Sequence, residues 1–359
     1  MLSALIISSK KGNIKAVNEL IEKGVNIKAK NNIALIEASK HGHIEIVKLL
    51  INKGANVKAQ NHKAIQLACE YNHMEIVKFL VDQGSFLTAN NNKSIQLACK
   101  RGNLEIIKYL IENGANVYSN NDMSIQLAIE KGRLETVKYI FNIYKNENKN
   151  ISDTIIDKKL LILAIKSGCL ELVEYILTEI DVNIDHQVLQ HVINIAFESI
   201  ASCRNLEIVK HLIKLGADIR FNNYHTLKKV LEKSNINVIN FIIEYYNEDI
   251  LNDEYVQKIF IQSFKMYLIK GKFDMIRYLI EKPINFIDYI TIIKYNSYYY
   301  IRMLFEKQYL EIVEYLIKYL LISCNTENIV HLKQRIKLTF NSTPDHLQII
   351  SNIIEKIEK

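Results

Sequence analysis

The sequence contains little proline and no tryptophan, and it lacks any long apolar run. Of its 359 residues two are Pro and none is Trp, although 49% are hydrophobic. No stretch approaches the about 18 apolar residues of a membrane-spanning helix, so we expect no membrane span. The first residues, 1–7, have no basic leader, and their apolar run is too short for a signal peptide. We therefore expect an intracellular, cytoplasmic protein.

The sequence also lacks the short motifs that carry common chemistries. None of G-x-S-x-G, G-x-x-x-x-G-K-[ST], H-E-x-x-H or C-x-x-C occurs. The carboxylate pair Glu171 and Glu174 falls on the outer face of a predicted helix, and His41 and His43 flank a turn glycine. The sequence therefore predicts no catalytic residues, no metal ligands and no cofactor, and we expect a protein that is not an enzyme.

The eleven glycines occupy only two positions of one repeated phrase. Five close it, as in L-I-E-N-G-A-N-V at 110–117, and six open G-x-x-x-x-V/I: Gly12, Gly42, Gly102, Gly132, Gly168 and Gly271. From Gly12 to Gly132 the opening position recurs every 30 residues, with Asn72 in one copy, and later copies are spaced by 30 to 37. A fixed period indicates a repeat protein, here with about eleven copies.

Each copy holds two helical stretches, called here the first and the second helix. In the second helix at 104–112, Ile107, Leu110 and Ile111 form an apolar face, while Glu105 and Lys108 pair on the other face. The closing glycine suits a left-handed helix end, so Gly54 and Gly114 should have positive φ. We expect the copies to stack into an all-α solenoid, with Leu67, Ala68, Val77 and Leu80 buried between them.

The phrase G-H-I-E-I-V-K-L-L-I-N-K-G-A-N-V at 42–57 resembles the second helix and turn of ankyrin repeats, and L-A-C at 67–69 and 97–99 resembles their first helix. The match is specific over 1–140 and weaker beyond 220. It implies an ankyrin-type solenoid with regular repeats at 1–144, a polar insertion at 145–157 and divergent repeats at 158–359 that continue the same solenoid.

Two departures from the family distinguish these repeats. The unit has 30 residues instead of 33, and the T-P-L-H tetrapeptide is replaced, for example by K-S-I-Q at 93–96. We therefore expect shorter fingers with little hairpin. The 30-residue unit is similar to ankyrin proteins that giant DNA viruses encode in many copies, and the Ile-, Asn-, Lys- and Tyr-rich composition looks like that of an AT-rich genome.

The five cysteines are odd in number and unclustered. Cys69 and Cys99 hold equivalent positions in neighbouring repeats, so their separation should match the ~8–10 Å between packed helices, which is beyond disulfide reach. We therefore expect buried free thiols and a reducing compartment.

The resemblance implies that the concave side, formed by the fingers and the ends of the first helices, binds a partner protein. We expect the chain to be a monomeric scaffold for protein–protein interaction. The predicted contact residues are Lys10, Lys11, Lys40, His41, His62, Lys63, Glu70, Tyr71, Asn91, Asn92, Lys93, Lys100, Arg101, Asn121 and Lys131. Basic residues outnumber acids there, which favours an acidic partner with Tyr71 as an anchor. We expect one groove, on the side opposite Glu75, Lys78, Glu105 and Lys108, to be lined by Lys63, Lys93, Lys100, Arg101 and Lys131.

Three alternatives stay open at this point. The net charge of +7 also fits a surface that binds nucleic acid or another polyanion, although 39 acidic residues are interleaved with the basic ones. The Lys and Asn residues of the groove can also reflect composition alone, spread over the whole surface. The chain can also be a redundant family copy without a dedicated partner.

Overall fold

Helices make up the regular structure of the part of the chain that the structure describes, and no strand occurs there. The computed structural model describes residues 1–147, 154–181, 186–199, 205–281, 289–322, 330, 333–337 and 344–358. It divides into two compact units, Met1–Ala217 and Asp218–Lys359. The all-α expectation is confirmed, and the helix pairs agree with about eleven copies.

The first unit consists of seven described helix pairs. Their bounds are α1 Leu2–Lys11, α2 Ile14–Glu22, α3 Ala29–Lys40, α4 Ile44–Asn52, α5 Ala59–Glu70, α6 Met74–Asp82, α7 Ala89–Arg101, α8 Leu104–Glu112, α9 Ser119–Glu130, α10 Leu134–Asn146, α11 Thr154–Ser167, α12 Leu170–Asp181, α13 His186–Phe197 and α14 Leu206–Lys214. Each odd-numbered first helix up to α9 packs against the next first helix and against its own second helix. Of the predicted insertion 145–157, residues 148–153 lie outside the described part.

The second unit continues the alternation of first and second helices. Its helices are α15 Phe221–Lys233, α16 Ile236–Leu251, α17 Glu254–Lys270, α18 Phe273–Glu281, α19 Tyr289–Glu306, α20 Leu310–Ile322 and α21 Pro344–Glu358. Its core includes the fully buried aromatic side chains of Phe260, Phe264 and Tyr267. The division of the chain at 144 and 158 stays a prediction.

The core of the regular repeats lies where the sequence pattern placed it, with one exception. Ala68, Val77 and Leu80 are completely buried. Leu67 is only half-buried, so its predicted burial was wrong. Its side chain lies about 100° around the helix from that of Ala68, and Leu97, at the same position of the next repeat, is 8% exposed.

The glycine positions have the backbone conformation that the pattern predicted. Gly54 and Gly114 have φ of 91° and 88°, which confirms the left-handed helix ends. The opening position is left-handed even without glycine, since Asn72 and Ser234 have φ of 64° and 58°. The left-handed backbone therefore belongs to this position of the repeat and does not depend on glycine.

A turn of three consecutive left-handed residues takes the place of the finger hairpin. It recurs at 30–32, 60–62, 90–92, 120–122 and 222–224, with φ between 47° and 61°. Left-handed backbone costs most residues about 1–2 kcal/mol each, whereas Asn tolerates it. Ten of these fifteen residues are Asn, so asparagine has a structural role at these positions beyond overall composition.

The third left-handed residue joins each turn to the next one. The N–H of Asn56 donates to Oδ1 of Asn32, and the N–H of Asn116 donates to Oδ1 of Asn92, both at 2.8 Å. In the turns at 60–62, 90–92 and 120–122, the glutamine of the following I-Q-L-A sequence stabilises the middle residue. Its Nε2 donates to that residue's carbonyl oxygen, as from Gln96 to Asn91 at 2.7 Å.

The regular bonding ends at the fifth repeat. Asp122 holds the third left-handed position, but α10 has 13 residues where α8 has nine. The helix therefore continues where the next turn would begin, and the hydroxyl of Tyr144 donates to Oδ1 of Asp122 instead. The change from 30-residue spacing thus coincides with a longer second helix.

Candidate binding surface

The C-terminal ends of the first helices bring the predicted contact residues of three successive repeats together. Nζ of Lys40 lies 5.4 Å from the ring centroid of Tyr71, and Cζ of Arg101 lies 5.3 Å from it. Cations at this distance are attracted by the ring face. The Tyr71 ring is still 40% exposed, so a basic residue from each neighbouring repeat flanks an accessible aromatic side chain.

Glu70 is the acidic member of this group. Its carboxylate lies 3.2 Å from Nη2 of Arg101 and 4.0 Å from Nζ of Lys100. The Glu70 side chain is 13% exposed, whereas those of Lys100 and Arg101 are 36% and 44% exposed. One largely buried carboxylate therefore positions two accessible cations, and with Lys40 the group has an excess of positive charge. We call Lys40, Glu70, Tyr71, Lys100 and Arg101 the Tyr71 cluster.

The other predicted contact residues at the first-helix ends form no ion pair with Glu70 and no cation–π contact with the Tyr71 ring in the part of the chain that the structure describes. Lys10 and Lys11 end α1 and are exposed, and Lys131 pairs with the neighbouring Glu130 at 2.8 Å. His41 bonds through Nδ1 to the backbone oxygen of Glu37, within its own helix, at 2.9 Å.

The left-handed turns expose some predicted contact residues and bury others. Asn91 and Asn121 are exposed, and Lys63 and Lys93 are half-buried. Nζ of Lys93 lies 3.4 Å from Oε1 of Gln96. The exposed residues therefore stay candidates for partner contact.

Two of the predicted contact residues are buried in the structure. Asn92 is 9% exposed and His62 is 7% exposed. Both hold the third left-handed position, where the side chain accepts a backbone N–H of the following repeat. They stabilise the stacking of repeats because their acceptor atoms point into the protein.

His62 differs chemically from the asparagines in the same position. Its Nδ1 accepts the N–H of Phe86 at 3.0 Å, so this nitrogen must be unprotonated. Burial and then the nearby charge of Lys58 lower the pKa of His62. Both effects favour the neutral ring that the hydrogen bond requires.

The histidines that follow the opening position, His43 and His73, bond to a backbone oxygen of the preceding repeat, whereas His62 accepts from the following one. Nε2 of His73 donates to the backbone oxygen of Lys40 at 2.9 Å. Its ring also covers Gly42, where an added Cβ would lie 2.6 Å from the ring. His43, after Gly42, forms the same bond to the backbone oxygen of Lys10 at 2.9 Å, so the histidine at this position joins consecutive repeats.

The second helices have their own set of charged contacts. Lys78 and Lys108 lie over the rings of Tyr109 and Tyr139, with Nζ 5.9 and 5.6 Å from the centroids. Glu45 and Lys48 form an i, i+3 pair at 3.1 Å, in the positions that Glu105 and Lys108 hold two repeats later. The expectation that this set faces away from the Tyr71 cluster stays a prediction.

Phe86 and Lys58 are two further surface residues, which were not predicted from the sequence. Phe86 is 55% exposed, and Nζ of Lys58 lies 4.4 Å from its ring centroid. A signal was present, because Phe86 stands where the neighbouring repeats have Asn56 and Asn116.

Residues that could hold a metal ion do not come together in the described ranges. These contain no group of three or more His, Cys, Asp or Glu side chains with suitable placement. Within the same ranges no helix is long and apolar enough to cross a membrane. Cys69 and Cys99 are free and buried, and burial raises the pKa of both thiols.

Helix pairs that stack on one another along the chain define a helical repeat protein. The family model "Ankyrin repeats (3 copies)" matches residues 2–61, 58–121, 95–188 and 125–223, which together span more than half of the chain. The chain therefore belongs to the ankyrin-repeat family. Members of this family are generally scaffolds for protein–protein interaction and are typically not catalytic.

A solved structure of another ankyrin-repeat domain is similar to part of this chain. The crystal structure of the human ASB11 ankyrin repeat domain is similar over 60% of this chain and 98% of its own, with 18% sequence identity and a TM-score of 0.46. No curated protein matches the sequence.

Proposed function

We propose that the protein binds an acidic segment of a partner protein across the turns and first-helix ends of residues 1–140, and that it has no catalytic activity. The Tyr71 cluster carries this proposal. It combines an accessible aromatic ring with three cations and one carboxylate. Tyr and Arg are, with Trp, the residue types enriched among energetically dominant interface residues.

The internal contacts of the cluster also favour binding. Arg101 is held by both Glu70 and the Tyr71 ring, so less side-chain freedom is lost when a partner binds. A guanidinium against an aromatic ring still presents donors at its edge, and these match a carboxylate. The basic positions of neighbouring repeats lie in one register, so their potentials add along the surface.

Charge reversal tests the proposal with a matched control. The probe is a fluorescently labelled polyglutamate peptide, and binding is followed by fluorescence anisotropy at two salt concentrations. The test variant is K93E/K100E/R101E, and the control is K48E/K78E/K108E on the second helices. Both change the net charge equally, so a general electrostatic effect would weaken binding equally in both.

We expect the test variant to lose at least about tenfold in affinity, a change of about 1.4 kcal/mol, and the control to stay near wild type. Circular dichroism checks that both variants are folded. Equal losses in the two variants would contradict the proposal.

The net charge of +7 favours a second candidate, binding of a nucleic acid or another polyanion. Retention on a heparin column tests it, because phosphate and sulfate contacts weaken steeply with salt. Elution of the wild type at low salt, together with salt-sensitive peptide binding, would favour the acidic protein segment.

We also propose a monomer in a reducing, intracellular compartment. The buried free thiols of Cys69 and Cys99 support that compartment. A viral source is proposed on the 30-residue period alone. Sedimentation analysis of the purified chain tests the monomer.

A further inference from the structure

Phe86 breaks a rule that the other turns of the array obey. Two residues after the closing glycine, the other turns have Asn26, Asn56, Asn116 or Asp218. In each of them the side-chain Oδ1 accepts the N–H of the residue two positions later, at 2.9 to 3.0 Å. Such side-chain bonds stabilise turns. Phe86 has no side-chain acceptor for the N–H of Thr88.

The substitution also exposes a large apolar surface. The Phe86 ring is 55% exposed, whereas its neighbours Ser85 and Leu87 are 6% and 7% exposed. Phe86 and Tyr71 are the two exposed aromatic residues among the described residues of the first unit. Phe86 therefore lacks the turn bond of the neighbouring repeats and is also not buried. Such a departure from a local rule indicates a role other than folding.

Two side chains hold the Phe86 turn in place. The N–H of Phe86 donates to Nδ1 of His62, and the two ring centroids are 5.0 Å apart. Nζ of Lys58 lies 4.4 Å from the Phe86 centroid. The ring is therefore presented in a restrained position, and that lowers the entropy cost of using it in binding.

The charges beside the ring indicate what kind of partner it suits. Lys58 and Lys28 hold the same position in successive turns, and neither is in an ion pair among the described residues. The Lys28 ammonium lies 4.0 Å from the point where a Cβ on Gly54 would be, so it reaches towards the turn that carries Lys58. The surface beside Phe86 therefore attracts negative charge.

We propose that Phe86 and Lys58, positioned by His62, form a second docking point, for a protein segment with an apolar side chain next to a carboxylate. The apolar side chain packs on the exposed part of the Phe86 ring, and the carboxylate pairs with Lys58. This docking point goes beyond the Tyr71 cluster and does not use the first-helix ends.

The decisive variant is Phe86→Asn, because it restores the residue of the neighbouring repeats. If Phe86 serves binding, F86N should keep or raise the urea midpoint of the full chain, since it regains the turn bond, while peptide binding is lost. If the ring serves folding, F86N should lower the midpoint, and that outcome would overturn the proposal.

Peptides displayed on phage as a random library supply the probe. They are selected on the full chain, synthesised with a fluorescent label and measured by anisotropy against wild type, F86N, K58E and K100E/R101E. We expect enriched sequences that combine Asp or Glu with an apolar residue. They should bind F86N and K58E at least about tenfold more weakly than wild type, and K100E/R101E unchanged.

The other results separate this proposal from the Tyr71 cluster. Peptides that lose binding to K100E/R101E but not to F86N would overturn the Phe86 docking point and leave the cluster intact. The docking point would also be overturned if every enriched peptide bound F86N as tightly as it binds the wild type. If the wild type self-associates in sedimentation and F86N does not, the Phe86 ring binds a second copy of the chain. That result would overturn the proposed partner.

Discussion

Asn92 gives the sharpest test of the left-handed turn. It has φ of 59° and is 9% exposed, and its Oδ1 accepts the N–H of Asn116 at 2.8 Å. Alanine at this position removes both reasons for asparagine. It lacks the short polar side chain that tolerates left-handed backbone, and it leaves the N–H of the next turn without its acceptor.

The expected cost follows from these two losses. Left-handed backbone costs an ordinary residue about 1–2 kcal/mol, and a buried donor without a partner costs about 1–3 kcal/mol. Asparagine itself retains part of the first cost, so Asn92→Ala should lower the free energy of unfolding by about 2–4 kcal/mol.

Two further variants separate the contributions. Asn92→Gly keeps the left-handed conformation but loses the acceptor, so it should cost about 1–3 kcal/mol. Asn91→Ala changes an exposed residue of the same turn and should cost at most about 1–2 kcal/mol. Urea unfolding followed by circular dichroism measures all three. If Asn92→Ala costs no more than Asn91→Ala, the bond between turns does not stabilise the array.

Three other outcomes follow from the same contacts. Because the pKa of His62 is lowered, folding favours its neutral ring. Wild-type stability should therefore fall as the pH drops below about 6.5, the ordinary pKa of histidine. In urea midpoints measured across pH, His62→Asn should remove this fall. Leu80→Ala should cost about 2–5 kcal/mol in urea unfolding, and a loss below about 1 kcal/mol would contradict its place in the core. Gly42→Ala should lower the thermal midpoint more than Gly84→Ala, because both have φ of 83° but only Gly42 lies against a histidine ring.

The sequence was sufficient to predict the helix pairs and their period. Glycine at two fixed positions predicted left-handed helix ends, and the apolar face of 104–112 predicted a helix that the structure bounds at Leu104–Glu112. Both signals are local, because one concerns a single residue conformation and the other a helical periodicity.

The left-handed turn could not be predicted in the same way. No propensity rule favours three consecutive left-handed residues, and the missing T-P-L-H sequence indicated only that the finger was altered. The available signal was the recurrence of Asn at 31, 61, 91 and 121, with Gln five residues after the last three of them. Its meaning depends on hydrogen bonds between repeats.

The candidate surface was harder to predict for a related reason. His62 and Asn92 look like surface residues in the sequence, but their acceptor atoms are used by the next repeat. Lys40, Tyr71 and Arg101 are about 30 residues apart and meet only because the repeats stack. Register along the array therefore locates a cluster, whereas three-dimensional packing decides which of its members are accessible.

A hydrogen–deuterium exchange footprint tests the central claim most directly. The full chain is compared with and without saturating polyglutamate peptide. Binding at the turns and first-helix ends predicts slower exchange at 60–71, 90–101 and 120–131, with little change in the second helices at 74–82 and 104–112. Protection centred on those second helices, or spread equally over both sets, would contradict the account.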